Sequence, residues 1–120
     1  MLQNLKSNSF GSSSEKLAVN LLVSHGYTIL DRNFHSRFGE IDIIAEKDGY
    51  LVFVEVKARH SLKFGFPEEA VIPSKLFKIK KTGEYYSILH PNLSKKLRID
   101  VVALIVDNNE VVSSKIIIVD

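Results

Sequence analysis

The residues with the clearest chemical potential lie in one short stretch, Gly39 to Arg59, which reads GEIDIIAEKDGYLVFVEVKAR. It alternates apolar and polar positions like two half-buried strands, yet it carries Glu40, Asp42, Glu55 and Lys57 among the polar ones. Carboxylates brought together from neighbouring strands repel, and a hard divalent cation such as Mg²⁺ removes the repulsion while keeping waters available for reaction. A lysine beside them can orient a water or offset negative charge developing on a substrate. The chemistry these residues could support is therefore metal-assisted hydrolysis.

Whether they converge depends on the elements that carry them. Asp48-Gly49, flanked by alternating apolar runs, is a strong signal for a two-residue hairpin turn. Such a turn pairs Lys47 with Tyr50 and places Asp42 directly opposite Glu55, with Glu40 opposite Lys57. Since side chains alternate between faces, all four would share one face. Ile41, Ile43, Ala45, Val52, Val54, Val56 and Ala58 would form the opposite, wholly apolar face. The competing reading is a solvated hairpin face carrying an ordinary Glu40–Lys57 cross-strand pair.

Around the hairpin the chain predicts a helix, three strands, a helix and two further strands. Residues 1–13, rich in Ser and Asn, read as a loose arm, leaving 14–120 as one domain. Leu17, Ala18, Leu21 and Leu22 recur at helical spacing, Gly26 supplies a stop, and Ser12 with Glu15 has capping-box spacing, with Ser14 as an alternative cap. The first strand falls near Tyr27 to Phe34. A second helix over Ser74 to His90 is expected to bury a stripe of Ile72, Leu76, Ile79 and Tyr86, although Gly83 weakens it by ~1 kcal/mol relative to Ala. The run LRIDVVALIVD has the near-continuous apolar content of a strand covered on both faces.

Composition narrows the function classes. A chain of 120 residues fits one domain. With no cysteine, disulfides, thiolate zinc sites and cysteine nucleophiles are excluded. The N-terminus lacks the apolar core of a secretory signal and no stretch approaches the ~20 apolar residues of a membrane span, so a cytoplasmic location is expected. A net charge of +2 leans only mildly toward polyanions. The four histidines are scattered without ligand spacing, Ser12 to Ser14 lack a nucleophile-elbow context, and no glycine-rich phosphate loop is present.

Several side chains have two readings. Glu15 is either a capping residue or an inward-facing acid near the hairpin. Lys75, Lys78 and Lys81 recur along the second helix, near Lys80 and Lys95–Lys96, as a solvated face or as a phosphate track. Lys75, nearest the helix start, is the one best placed to approach the site. Arg59 shares a face with Lys57 and could meet a phosphate. Arg98 and Asp100 share a face of the buried strand and are expected to form an internal ion pair.

The pattern EID followed after thirteen positions by EVK resembles the PD-(D/E)XK, or restriction-endonuclease-like, nuclease superfamily. More narrowly, RN, GEIDIIA, VFVEVKAR, FGFPEEAV and RIDVVAL resemble the YraN-like family of small bacterial proteins over about Glu15 to Leu104. The resemblance implies a restriction-endonuclease-like α/β fold, αβββαβ(β), with a mixed central sheet flanked by helices. It implies a metal-dependent endonuclease acting on DNA, branched or junction DNA included, with Mg²⁺ or Mn²⁺ held by Asp42, Glu55 and the carbonyl of Val56. Lys57 matches the superfamily lysine, and Glu15 matches a glutamate that archaeal Holliday-junction resolvases bring to the same site. Glu40 is a secondary candidate, and Arg59, Lys75 and Lys78 are the candidate nucleic-acid contacts. Ile41 stands where the superfamily name has proline. By analogy with junction-cutting relatives, a homodimer is expected. The alternative functions are a catalytically inactive nucleic-acid-binding module or a partner-binding protein on the same fold.

Overall fold

Asp48 and Gly49 both take left-handed φ values, 51° and 82°, the backbone that a two-residue hairpin turn requires. They close β2 (Gly39–Lys47) onto β3 (Tyr50–Arg59) in the expected register, from Lys47 opposite Tyr50 to Ile43 opposite Val54. The computed structural model describes residues 2–63, 65–108 and 110–119, with side chains from Phe10 onward except Ser12. It contains one small α/β domain built on a five-stranded mixed sheet in the order β1-β2-β3-β4-β5, with two α-helices.

The first of these, α1 (Leu2–Ser24), leads into the edge strand β1 (Thr28–Ser36), which pairs antiparallel with β2. After β3 the chain makes a short 3₁₀ turn, Pro67–Ala70, and then α2 (Pro73–Leu89). This crossover returns the chain to β4 (Leu97–Asp107), parallel to β3, and β5 (Glu110–Ile118) closes antiparallel on β4. The element order matches that read from the sequence. No helix among the described residues is long and apolar enough to cross a membrane.

Two apolar layers sandwich the sheet. On one face Ala18 and Leu22 of α1 pack against Ile43, Ala45, Val52, Val54, Val102 and Leu104. On the other, Ile79 and Tyr86 of α2 pack against Ile41, Ile44, Phe53 and Ile99. β4 is buried along nearly its whole length between them, so a two-sided apolar strand is what the sequence required there. The helix α1 ends where Gly26 turns left-handed at φ 88°. The Tyr27 N–H donates to Leu22 O and the Gly26 N–H to Val23 O, both at 3.0 Å, which closes a Schellman motif.

Four expectations need correction. Helix α1 is continuous from Leu2, so residues 2–13 of the stretch read as a loose arm are helical, Met1 lying outside the described residues, and Ser12 and Ser14 are interior positions rather than caps. Ile72 is the residue preceding α2 and is exposed, because Pro73 starts the helix after it. Gly83 does not mark a weak helix but the place where α2 crosses the sheet. A Cβ there would lie 2.8 Å from Phe53 Cζ and closer still to the ring edge, so only glycine lets the helix settle on that ring. Finally, Ile41 does not share a face with Ile43. It sits with Ile44 and Phe53 in the α2 layer, so the alternation of β2 changes phase at Asp42.

Candidate active site

That change of phase has a structural origin. Beyond Ile43 and Val54 the pairing between β2 and β3 ends, although β2 stays paired to β1 as far as Gly39 and β3 to β4 as far as Arg59. The sheet therefore forks at Asp42. The expected direct cross-strand pairs, Asp42 with Glu55 and Glu40 with Lys57, do not form. Instead Asp42 lies in the mouth of the fork, where its Oδ2 accepts the Val56 N–H at 2.8 Å. A side-chain oxygen thus replaces the ladder partner that β3 has lost, satisfying a half-buried amide.

Glu55 is buried on the adjoining rung, 3% exposed. Its Oε2 lies 3.7 Å from Lys57 Nζ and 3.4 Å from Lys75 Nζ, the latter reaching in from the first turn of α2. Burial, followed by the charge of Asp42 and a hydrogen bond with it, pushes the Glu55 carboxyl up to about 7, against the pull of the two lysines. The two acids are therefore close enough that one resists ionising beside the other.

On the α1 side, a cavity of about 240 Å³ opens between the helix and the fork, lined by Phe10, Ser14, Glu15, Asp42, Val56 and Lys57. The Glu15 side chain is only 16% exposed and 3.6 Å from the Arg32 guanidinium. Its carboxyl is raised by burial and by Asp42. Ser14 Oγ is buried without a hydrogen-bond partner, an arrangement that costs free energy unless something polar occupies the cavity, whereas Glu15 Oε1 makes no hydrogen bond but keeps its ion pair with Arg32.

Among the described residues no three acidic or histidine side chains converge as a ready-made cation cage. What the site offers is a pair of opposed carboxylates, a third acid ion-paired to Arg32 at its edge, and polar space. That donor set fits Mg²⁺ or Mn²⁺ held by one or two carboxylates with waters completing the shell.

The other candidates divide. Glu40 is exposed and bonded to His35, with Nδ1 to Oε2 at 3.0 Å, so it stands apart from the fork. It lines a separate cavity with Lys75 and Lys78. Arg59 is half-buried with its Nε unpartnered. Arg98 and Asp100 form the expected internal pair, bidentate at 2.9 Å for each bond, and Tyr27 Oη donates to Asp100 Oδ2 at 2.6 Å. Burial and that bond push the Tyr27 hydroxyl up to about 12. The sequence reading missed Arg32 as the partner of Glu15 and Ser14 as part of the cavity wall. The four-residue recurrence of Phe10, Ser14, Ala18 and Leu22 could have revealed Ser14, because it puts that hydroxyl on the buried stripe.

The profile described as "Uncharacterised protein family UPF0102" matches residues 14–104. The chain is 45% identical over 100 residues to a UPF0102 protein of Syntrophomonas wolfei, covering 83% of this chain and 87% of that one. It is 52% identical over 98 residues to one of Caldicellulosiruptor bescii, covering 81% and 82%. A UPF0102 protein of Persephonella marina is 46% identical over 99 residues, covering 82% and 84%.

Proposed function

We propose, from the premise that this chain belongs to the UPF0102 (YraN-like) family, that it is a divalent-metal-dependent endonuclease hydrolysing phosphodiester bonds in DNA, with branched or junction DNA as target. On this reading the domain is a member of the restriction-endonuclease-like superfamily. Its helix, three strands, helix, strand order and the Asp42–Glu55–Lys57 pattern support that placement.

The observation that carries the proposal is the meeting of Asp42 and Glu55 across strands that have stopped pairing, with Lys57 and Lys75 beside them. Asp42, Glu55 and, from α1, Glu15 would hold the cation, which supplies Lewis acidity and a water of lowered pKa when bound. The Val56 amide holds the Asp42 carboxylate in a fixed orientation. The Lys57 ammonium would orient the attacking water and offset charge gathering on the phosphoryl oxygens, and Lys75 would do the same from α2. In the hydrolysis the water oxygen bonds to phosphorus, the ester P–O bond breaks, and the leaving oxygen takes up a proton. Lys78 and Arg59 would contact flanking phosphates without reading sequence. A homodimer would bring two such sites to the two strands of a junction.

The test is nicking of plasmid and four-way-junction DNA with Mg²⁺ or Mn²⁺. Wild type should cleave, and Glu55→Gln should lose cleavage while keeping its fold by circular dichroism. Cleavage undiminished in that variant overturns the assignment. One observation favours a second reading, a DNA-binding module without catalysis: both lysines already sit within 4 Å of Glu55 and neutralise it. That reading predicts salt-dependent DNA binding, weakened by replacing Lys75 and Lys78, with no nicking under any metal.

A further inference from the structure

The turn joining β1 to β2 carries Arg37 and Phe38 at its tip, both exposed. It is a held element. The Phe38 N–H donates to Ser36 Oγ at 3.1 Å, and Ser36 Oγ in turn lies 3.3 Å from Gly39 O. Gly39, at φ 144°, lets the turn lie against α2, since a Cβ there would meet Thr82 Oγ1 at 3.1 Å. This approach sets the Phe38 ring edge-on to Tyr85 of α2, centroids 5.5 Å apart, with the Arg37 guanidinium 4.9 Å above Phe38. Phe38 and Tyr85 nonetheless keep 38% and 37% of their surface exposed. Beside them a cavity of about 430 Å³ lies between Phe34, His35, Arg37, Tyr85 and Leu89, within the size range of small-ligand sites.

This patch is continuous with the fork. His35 and Ser36 line both this cavity and the next one, of about 350 Å³, whose walls include Lys75 and Lys78. Lys75 in turn touches Glu55. A line of cations, Lys75, Lys78 and Arg37, thus runs from the carboxylates to exposed aromatic rings, and the acid beside it, Glu40, is already bonded to His35. A line of cations ending at partly open aromatic rings suits a chain of phosphates with a base free to stack. A base locked in a duplex could not reach the rings.

We infer that Arg37, Phe38 and Tyr85 form a stacking site for an unpaired base of a single-stranded segment whose phosphates lie over Lys75 and Lys78. The inference rests on the nucleic-acid reading above but not on catalysis. It selects the single-stranded part of a branched or overhanging DNA as what the protein grips beside the Asp42 and Glu55 carboxylates.

The experiment measures binding by fluorescence anisotropy with the Glu55→Gln protein in EDTA, so that no cleavage intervenes. The probes are labelled oligothymidylate, an abasic oligomer of equal length, and blunt duplex. The Glu55→Gln protein should prefer oligothymidylate to the abasic strand by roughly tenfold to a hundredfold. Adding Phe38→Ala or Tyr85→Ala should erase that preference without changing duplex binding, while Tyr85→Phe should keep it. Equal binding of the normal and abasic strands overturns the stacking site, as does loss of duplex and single-strand binding in parallel. Should the alanine variants misfold, the abasic comparison and Tyr85→Phe decide. Plasmid nicking by wild type is scored separately: nicking without base preference refutes only this site, and base preference without nicking refutes only the nuclease reading. Saturable binding of an apolar dye at Phe38 and Tyr85, with no DNA bound, would assign the patch to a protein partner and also overturn the inference.

Discussion

The Val56 amide donates to the Asp42 carboxylate at 2.8 Å, one rung past the point where β2 and β3 cease to pair. One carboxylate therefore has two duties, completing the backbone of β3 and contributing charge to the site. The duties can be separated. Asp42→Asn keeps an acceptor for the amide but removes the charge, so it should unfold within about 1 kcal/mol of wild type while calorimetric titration with Mn²⁺ loses its binding heat. Asp42→Ala leaves the half-buried amide without its partner and should cost about 1 kcal/mol in denaturant unfolding. Retained Mn²⁺ binding in the asparagine variant would remove Asp42 from the proposed metal site.

Glu55 makes stability depend on pH in a direction opposite to that of an ordinary salt-bridged acid. Burial and Asp42 raise its carboxyl from 4.5 to about 7. The folded state therefore favours the protonated form, and the contribution present below pH 4.5 is lost as pH climbs through about 7. Without divalent ions, unfolding free energy should fall by up to ~3 kcal/mol across that window in wild type, and by much less in Glu55→Gln. Mn²⁺ should restore stability most at the alkaline end, because the ion competes with the proton for the carboxylate. Urea titrations on either side of the window, with EDTA or Mn²⁺, read all four conditions.

Gly83 and Phe53 should behave as a pair. Gly83→Ala improves helix propensity by ~1 kcal/mol, yet its methyl would meet the Phe53 ring, and overpacking of this kind costs about 1–3 kcal/mol. The net effect in thermal unfolding should be destabilising. Phe53→Leu, destabilising alone, should lose part of its cost when combined with Gly83→Ala. Simple additivity would show that the helix shifts freely on the sheet.

The buried Arg98–Asp100–Tyr27 group gives a graded series. Removing one charge, as in Arg98→Met, strands the fully buried Asp100 and should cost about 3–5 kcal/mol. Tyr27→Phe leaves the bidentate pair intact and removes the 2.6 Å bond to Asp100, worth about 1.5–3 kcal/mol, together with the longer 3.4 Å bond from Arg98. Melting temperatures should follow that order. Equal losses would mean that the hydroxyl, rather than the guanidinium, satisfies the acid.

What could be read from the sequence was what local chemistry decides. Asp48-Gly49 dictates its own turn and, through it, the register as far as Ile43. The apolar run around Val102 dictates a strand covered on both sides, and Arg98 with Asp100, two apart on that strand, can only face the same way. The phase change at Asp42 was not legible, because it arises when β2 follows β1 while β3 follows β4, a competition between partners distant in sequence. For the same reason Glu40 went to His35 rather than to Lys57. Lys75 could be placed near the site from its position at the start of α2, but the depth of that helix depends on Gly83 meeting Phe53, which spacing along the chain does not reveal.

The fork has one more consequence. A sheet split at one end is two leaves joined along a spine, here the rungs from Ile43 and Val54 to the Asp48-Gly49 turn. The acids come from opposite leaves, and the Val56 N–H bond to Asp42 ties those leaves together at the mouth, so the span between the acids depends on that backbone tie. On the proposed metal-dependent reading, that tie would gauge ionic radius through the backbone, and DNA lying across both leaves would tune which cation is accepted.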